Sequence, residues 1–275
     1  ALVRIRGQDF VRMLTFVQCA GHLVRMAHKK TDFIASLAKG LRVIETFGPD
    51  RPRQSVAEAA EAAGLDRATA RRCLLTLREL GYADHDGKHF QLTARVLRLG
   101  MGALSALPLP QIVQPWLDQL SDQIGQSASV SVLDETEIVY LARAAQRRVM
   151  SIGLMPGSRL PAHCTSMGRI LLAALPEAEA HALLDRSDLT PRTPNSLTEP
   201  EAIMTELARI RAQGYAIIDQ EVEIGLRSIA VPILNVQDRT VAAMNVGLPA
   251  LHADASALAE IYLPGLKRTQ AGLRR

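Results

Sequence analysis

Apolar residues recur at helical spacing through the first part of the chain and alternate with polar ones further on. From Ser36, the positions Leu37, Gly40, Leu41, Ile44 and Phe47 predict a helix that ends at Gly48-Pro49. An Ala-rich helix follows over Ala57 to Ala63. The next has Ala70, Cys73, Leu74, Leu77 and Leu80 on its buried face and stops at Gly81. Val96, Leu97, Leu99, Gly100 and Leu104 predict a linker helix over Thr93 to Leu107, closed by Pro108-Leu-Pro110. After a helix from Gln111 to Ile124, alternation predicts strands at Ser127 to Leu133, Glu137 to Arg143 and Val149 to Met155, with Asp134-Glu135 as a turn. Helices from Ser166 to Leu175, Glu177 to Leu184 and Glu199 to Gln213 come next, then strands Tyr215 to Gln220, Ser228 to Leu234 and Thr240 to Gly247. A last helix covers Ala253 to Thr269. Strands in pairs with helices between them imply an α+β domain on a mainly antiparallel sheet.

The segment from Ser55 to Leu92 has a more specific order. Ser55 is placed to cap one helix, with Glu58 completing a capping box, and Gly64 stops it; Asp66 caps the next. Opposite the apolar face of that second helix lie Ala68, Thr69, Arg71, Arg72 and Thr76, small and basic groups suited to a major groove. Beyond Gly81, Tyr82 to Asp84 and His89 to Leu92 flank His85-Asp86-Gly87-Lys88, where Asp-Gly favours a tight hairpin. The hairpin presents Lys88 and His85 to a phosphate backbone. A lone basic helix is most often a solvated surface. Helix, glycine turn, capped basic helix and hairpin in succession are a winged helix-turn-helix, and duplex DNA is the expected partner.

Charge follows the same division. Residues 1–109 carry 17 Lys and Arg against 10 Asp and Glu; residues 110–275 carry 15 against 18. A basic front and a mildly acidic back fit a DNA-binding domain joined to another function. The expected organisation is an N-terminal extension of unassigned role over 1–33, a DNA-binding domain over 34–92, a linker helix over 93–109 and a second domain over 110–275. Cys19, Cys73 and Cys164 are widely spaced and contain no CxxC pair, which suits a reducing cytoplasm. The apolar stretch Phe10 to Ala27 is interrupted by Arg12, His22 and Arg25, so no membrane span or signal core is expected.

In the second domain, Gly157-Ser-Arg-Leu-Pro-Ala-His-Cys-Thr-Ser-Met-Gly-Arg169 runs into the helix beginning at Ser166. Thr165 or Ser166 can cap it, the first-turn N–H groups suit a carboxylate, and Gly168 lets a ligand approach the backbone. His163 and Arg169 can add charge-assisted bonds, although Arg169 equally suits the helix surface. A second polar cluster, Asp219 to Ser228 with Glu221 in it, lies between two strands and can either fold over the same cavity or form a solvated hairpin loop. His163 beside Cys164 raises an alternative, an enzyme acting on a small organic acid with an appended DNA-binding domain. No nucleophile signature flanks them, and no catalytic residue is assigned. His163, Asp219 and Glu221 have no metal-ligand spacing, and no Walker A or GxGxxG is present, so neither a metal nor any cofactor is expected.

Three segments, Ser36-Leu-Ala-Lys-Gly-Leu-Arg-Val-Ile44 with the winged helix, Gly157 to Ala173, and Gly214-Tyr-Ala-Ile-Ile-Asp-Gln-Glu-Val-Glu-Ile-Gly-Leu-Arg-Ser-Ile-Ala-Val-Pro232, occur in the order of the IclR family of bacterial transcription regulators, which the chain resembles over about residues 35 to 270. The last two look most like the branch controlling aromatic-acid catabolism through the β-ketoadipate pathway. The resemblance implies a GAF-like effector domain, an aromatic or keto acid as effector, operator binding as repressor or activator, and a homodimer joined through DNA-binding domains and linker helices, often a homotetramer joined through effector domains. Carried over, the effector pocket involves Ala162, His163, Ser166, Met167 and Gly168 on one side and Asp219, Glu221 and Ser228 on the other. Ser228 stands where some relatives carry Cys.

Overall fold

The computed structural model describes residues 33–48, 50–100, 108–145 and 153–274. They form two compact units, one within 33–100 and one within 108–274. The expected N-terminal extension, apart from Phe33, lies outside the described residues, and among them no helix is long and apolar enough to cross a membrane.

In the first unit, helices α1 (Ala35–Glu45), α2 (Val56–Ala63) and α3 (Arg67–Glu79) enclose a core of Val43, Ala59, Ala63, Leu74 and Leu77, closed by Ala83 and Phe90 of the wing. The capping box forms at both ends: Ser55 Oγ accepts from the Glu58 N–H at 3.3 Å and Glu58 Oε2 accepts from the Ser55 N–H at 2.7 Å. That Ser55 N–H, above all, holds the Glu58 carboxyl below its ordinary pKa. Gly64 closes α2 at φ 60°, and Asp66 Oδ1 accepts from the Thr69 N–H at 2.8 Å to start α3. Leu80 departs from the expected buried face. It is 52% exposed, because α3 ends at Glu79 and Leu80 has already turned out of the stripe.

The wing pairs β2 (Ala83–His85) with β3 (Phe90–Leu92) in antiparallel register. Asp86 Oδ1 accepts from the N–H groups of Lys88 and His89, at 2.9 and 2.7 Å, and these bonds hold its pKa down to about 2. A third strand the pattern did not predict, β1 (Arg53–Gln54), joins the outer side of β3; two residues are too few to express an alternation. Past the wing, Thr93 caps a short 3₁₀ turn (Ala94–Val96) and residues 97–100 are helical; the rest of the expected linker helix, residues 101–107, lies outside the described residues. Pro108 and Pro110 are among the first described positions of α4 (Pro108–Ile124), where proline is tolerated because first-turn N–H groups have no helical partner.

The second unit is a six-stranded sheet in the order β6-β5-β4-β9-β8-β7, every pairing antiparallel. Its strands are β4 (Ser127–Asp134), β5 (Glu137–Ala144), β6 (Arg159–Pro161), β7 (Ala216–Asp219), β8 (Leu226–Leu234) and β9 (Thr240–Pro249). Of the strand expected over Val149 to Met155, residues 149–152 lie outside the described residues and 153–155 are not strand. The edge is taken by β6, too short to be signalled. On one face pack α4 and α8 (Leu258–Leu273), burying Val113, Leu117, Val130, Ile229, Met244 and Leu266. On the other pack α5 (Ser166–Ala173), α6 (Glu177–Leu184) and α7 (Pro200–Gln213), burying Ile138, Met167, Leu172, Leu184, Ile203 and Leu207. Helices on both faces make the sheet the middle of three layers.

The entry to α5 is tightly wound. Thr165 Oγ1 accepts from the Gly168 N–H at 3.1 Å and donates to Pro161 O at 3.1 Å. A Cβ added at Gly168 would stand 2.2 Å from Ala162 O and 2.5 Å from Thr165 Oγ1, so the close approach that Gly168 permits is to its own chain, not to a ligand. Gly168→Ala is expected to cost about 1–3 kcal/mol, the usual penalty of overpacking, which lowers the melting temperature by roughly 4–10 °C for a unit of this size. A calorimetric scan of the two proteins checks it; equal melting temperatures would overturn the steric argument.

Candidate functional site

On the first unit, α3 exposes Ala68, Arg71, Arg72 and Thr76 on one side, and the wing tip exposes Lys88. Arg72 is braced along its own helix, Nη2 donating to Thr69 Oγ1 at 3.3 Å. Thr69 itself is buried, so it acts as the brace and leaves little surface for a partner. Arg67, at the start of α3, is exposed as well and was passed over by the sequence reading, although helix-first residues are the ones nearest the bases in this motif. His85 folds back on Phe90, ring centroids 4.2 Å apart, which leaves Lys88 as the more open of the two wing groups.

The second unit contains a cavity between the sheet and α5. Alternation places Ser127 of β4, Ser228 of β8 and both Asn245 and Gly247 of β9 on its floor, in register as Ser127 opposite Gly247 and Gly247 opposite Ser228. Tyr140 and Arg143 also line it. Three residues apart on β5, they would point to opposite faces of a regular strand. A bulge puts them together: Val130 pairs with Ala142 but Ser131 pairs with Tyr140, so one residue of β5 is extra. Leu154, Leu160, Val222 and Leu226 supply the apolar wall, and Thr165 and Ser166 the α5 side. The free space is about 30 Å³, room for one or two waters.

The polar groups in this cavity are few and distinct. Arg143 Nη1 donates to Ser129 Oγ at 2.9 Å, and burial pulls the guanidinium pKa down, yet a guanidinium remains charged. Among the described residues no carboxylate pairs with it. Burial pushes the Tyr140 hydroxyl up to about 12, so it stays protonated and able to donate. Ser228 Oγ donates to Ser166 Oγ at 2.8 Å, both side chains buried. A cation at one side, a hydroxyl pair at the other and an apolar wall between them match a small organic acid that also carries a hydroxyl.

Of the expected effector residues, only Ser166 and Ser228 line this cavity. Ala162, Met167 and Gly168 are buried in the α5 turn, Met167 Sδ accepting from Ser131 Oγ at 3.3 Å. His163 is 1% exposed, neither ring nitrogen has a partner among the described residues, and burial lowers its pKa to about 4. Cys164 Sγ is directed at Pro161 O at 3.8 Å, with its thiol pushed up to about 11, so the two neighbours do not form a nucleophile and base. Asp219 is paired with Arg227 at 2.6 Å, and Glu221 with Arg169 at 2.5 and 2.8 Å, so each carboxylate is already neutralised by its own arginine. Arg169 is not a surface residue: it is buried and paired with Glu221. Of the residues missed, Asn245 had a signal, a polar side chain within an otherwise apolar strand, whereas Tyr140 and Arg143, three positions apart, are brought to one face only by the bulge, which no local pattern announces.

Comparison with known proteins agrees with both units. Residues 36–87 match the model of the IclR helix-turn-helix domain and residues 101–269 that of the bacterial transcriptional regulator IclR C-terminal domain. The chain is 43% identical over 234 residues to the Pca regulon regulatory protein of Pseudomonas putida, covering 85% of this chain and 80% of that one. It is 40% identical over 248 residues to the p-hydroxybenzoate hydroxylase transcriptional activator of Acinetobacter baylyi, covering 88% and 92%. A solved IclR homologue from Microbacterium hydrocarbonoxydans, complexed with 4-hydroxybenzoate, superposes with a TM-score of 0.68 at 27% identity, covering 87% of this chain and 99% of the other. A winged helix ahead of a helix-covered antiparallel sheet, matched by both domain models in order, makes this chain a DNA-binding transcriptional regulator of the IclR family, close to regulators of aromatic-acid catabolism.

Proposed function

We propose that this regulator binds an operator through α3 and the wing and is switched by a hydroxylated aromatic acid held in the cavity of the second unit. The observation that carries the reading is Arg143: a half-buried guanidinium with no carboxylate partner among the described residues, lining the same cavity as a buried hydroxyl pair. The guanidinium lies over β4, beside Ser129, and Ser228 is two strands away on β8, about 10 Å across the sheet. A benzene ring with a carboxylate at one end and a hydroxyl at the other bridges that span. The homologue complexed with 4-hydroxybenzoate supports the same class of ligand.

On the DNA side, Ala68, Arg71, Arg72 and Thr76 face the major groove, Thr69 braces Arg72, and Lys88 meets a phosphate. α1 exposes Ile34, Leu37 and Leu41, an apolar stripe suited to pairing two DNA-binding units over two half-sites. The effector then acts by favouring one arrangement of its domain and, through the linker beginning at residues 97–100, one spacing of the two recognition helices. Such a regulator works in the bacterial cytoplasm, where Cys73 and Cys164 remain thiols.

Three measurements test these readings. A thermal-shift screen with 4-hydroxybenzoate, protocatechuate and β-ketoadipate is expected to raise the melting temperature with at least one hydroxylated aromatic acid, since selective binding stabilises the folded state; Arg143→Met should abolish that rise, and a rise that survives would move the carboxylate elsewhere. Arg72→Ala should weaken operator binding by roughly 10- to 100-fold, the loss of about 1–3 kcal/mol of contact, while leaving the effector response intact; unchanged gel-shift affinity would remove α3 from the groove. Sedimentation of Leu37→Lys with Leu41→Lys should show a smaller assembly than the parent chain, and an unchanged one would clear α1 of that role.

A further inference from the structure

We propose that Glu221 is a positioning residue for the effector cavity: paired with Arg169, it latches the strap of residues 220–226, which carries Val222 and Leu226 into the cavity wall. This rests on the effector reading above and adds a gate to it. The strap hangs between two left-handed residues, Gln220 at φ 61° and Gly225 at φ 88°. It is held internally by Gln220 N–H to Leu226 O at 2.9 Å, Leu226 N–H to Glu223 O at 3.2 Å and Gly225 N–H to Gln220 Oε1 at 3.0 Å. Asp219 and Arg227, 2.6 Å apart, close its base. A non-glycine residue at positive φ persists only where its surroundings over-determine it.

What over-determines it is Glu221. Its two oxygens accept from Arg169 Nη1 and Nη2 at 2.8 and 2.5 Å, and Oε2 also accepts from the Leu197 N–H at 3.0 Å. Its carbonyl accepts from Ser196 Oγ at 2.7 Å, and Thr193 Oγ1 donates to Gln220 O at 2.7 Å. Arg169 is fixed in turn, Nε donating to His163 O at 2.8 Å, on the same helix that brings Ser166 to the cavity. The latch therefore ties the strap side of the cavity wall to the α5 side. Burying such a pair gains little stability over apolar side chains of the same size, because desolvation offsets the attraction. Its distinctive property is that one geometry satisfies it. About 30 Å³ of free space is too small for an aromatic acid, so the wall has to give way, and release of this geometry frees Val222 and Leu226 to withdraw.

The test uses the full chain and Glu221→Gln, which keeps an acceptor for Leu197 N–H and removes the charge. Hydrogen exchange without effector is expected to quicken on the order of fivefold or more at residues 220–226 while β8 and β9 beyond the strap keep their protection. Unchanged exchange in the strap, or quickening spread evenly through the sheet as a merely structural pair would produce, overturns the proposal. In stopped-flow mixing with 4-hydroxybenzoate, association and dissociation should both speed up in the variant. Identical rates would also overturn it. If the parent chain binds neither 4-hydroxybenzoate nor protocatechuate, the effector reading fails and the exchange result still decides the latch. Should Glu221→Gln not fold, Arg169→Met with Glu221→Leu replaces the pair by apolar groups and must show the same local exchange pattern.

Discussion

In a sheet covered by helices on both faces most strand side chains are shut off from water, and in this protein that constraint organises the second unit. Each polar side chain facing inward must find a partner within the fold or wait for one from outside, since an unpaired buried group costs about 1–3 kcal/mol. Ser131 finds Met167, Ser228 finds Ser166, and Arg169 finds Glu221. Arg143 finds only the neutral Ser129. A charge left half satisfied in a half-buried cavity is the chemical opening through which an anion can speak to the protein.

The two units solve opposite problems with the same backbone devices. In the first, caps and turns push side chains outward: Asp66 starts α3, Asp86 folds the wing tip, and the basic groups stay exposed for a polyanion. In the second, the Thr165 cap and the Gly168 approach wind α5 tightly against Ala162, which fixes one cavity wall. The opposing wall hangs on the strap. One rigid side and one adjustable side are what a binding site needs if occupancy is to be converted into a change of shape.

The fold was largely legible in the sequence because its signals are local. The capping box at Ser55, the stop at Gly64, the cap at Asp66 and the Asp-Gly turn each lie within a few residues, and all formed as expected. Elements defined by a distant partner were not legible: β1 and β6 exist because β3 and β5 accept them, and neither carries a pattern of its own. The site divides in the same way. Exposed Arg71 and Arg72 follow from helical periodicity, whereas Asp219 and Glu221 looked available although Arg227 and Arg169, the latter 52 positions away, occupy their carboxylates, and His163 is closed off by burial. Polarity in a sequence marks where a hydrogen bond is needed and leaves unsaid whether the fold has already made it.

The bulge between β4 and β5 has a bearing on how such proteins diverge. Because strand side chains alternate, one surplus residue reverses the facing of everything beyond it, and here it turns Arg143 toward the cavity instead of toward the leucines of α4. A relative lacking that residue would keep the same letters on β5 and yet present a different lining. Comparing such chains column by column would then pair a ligand-facing arginine with a core position, and the gap in the alignment, more than any substitution, would mark the change in what is sensed.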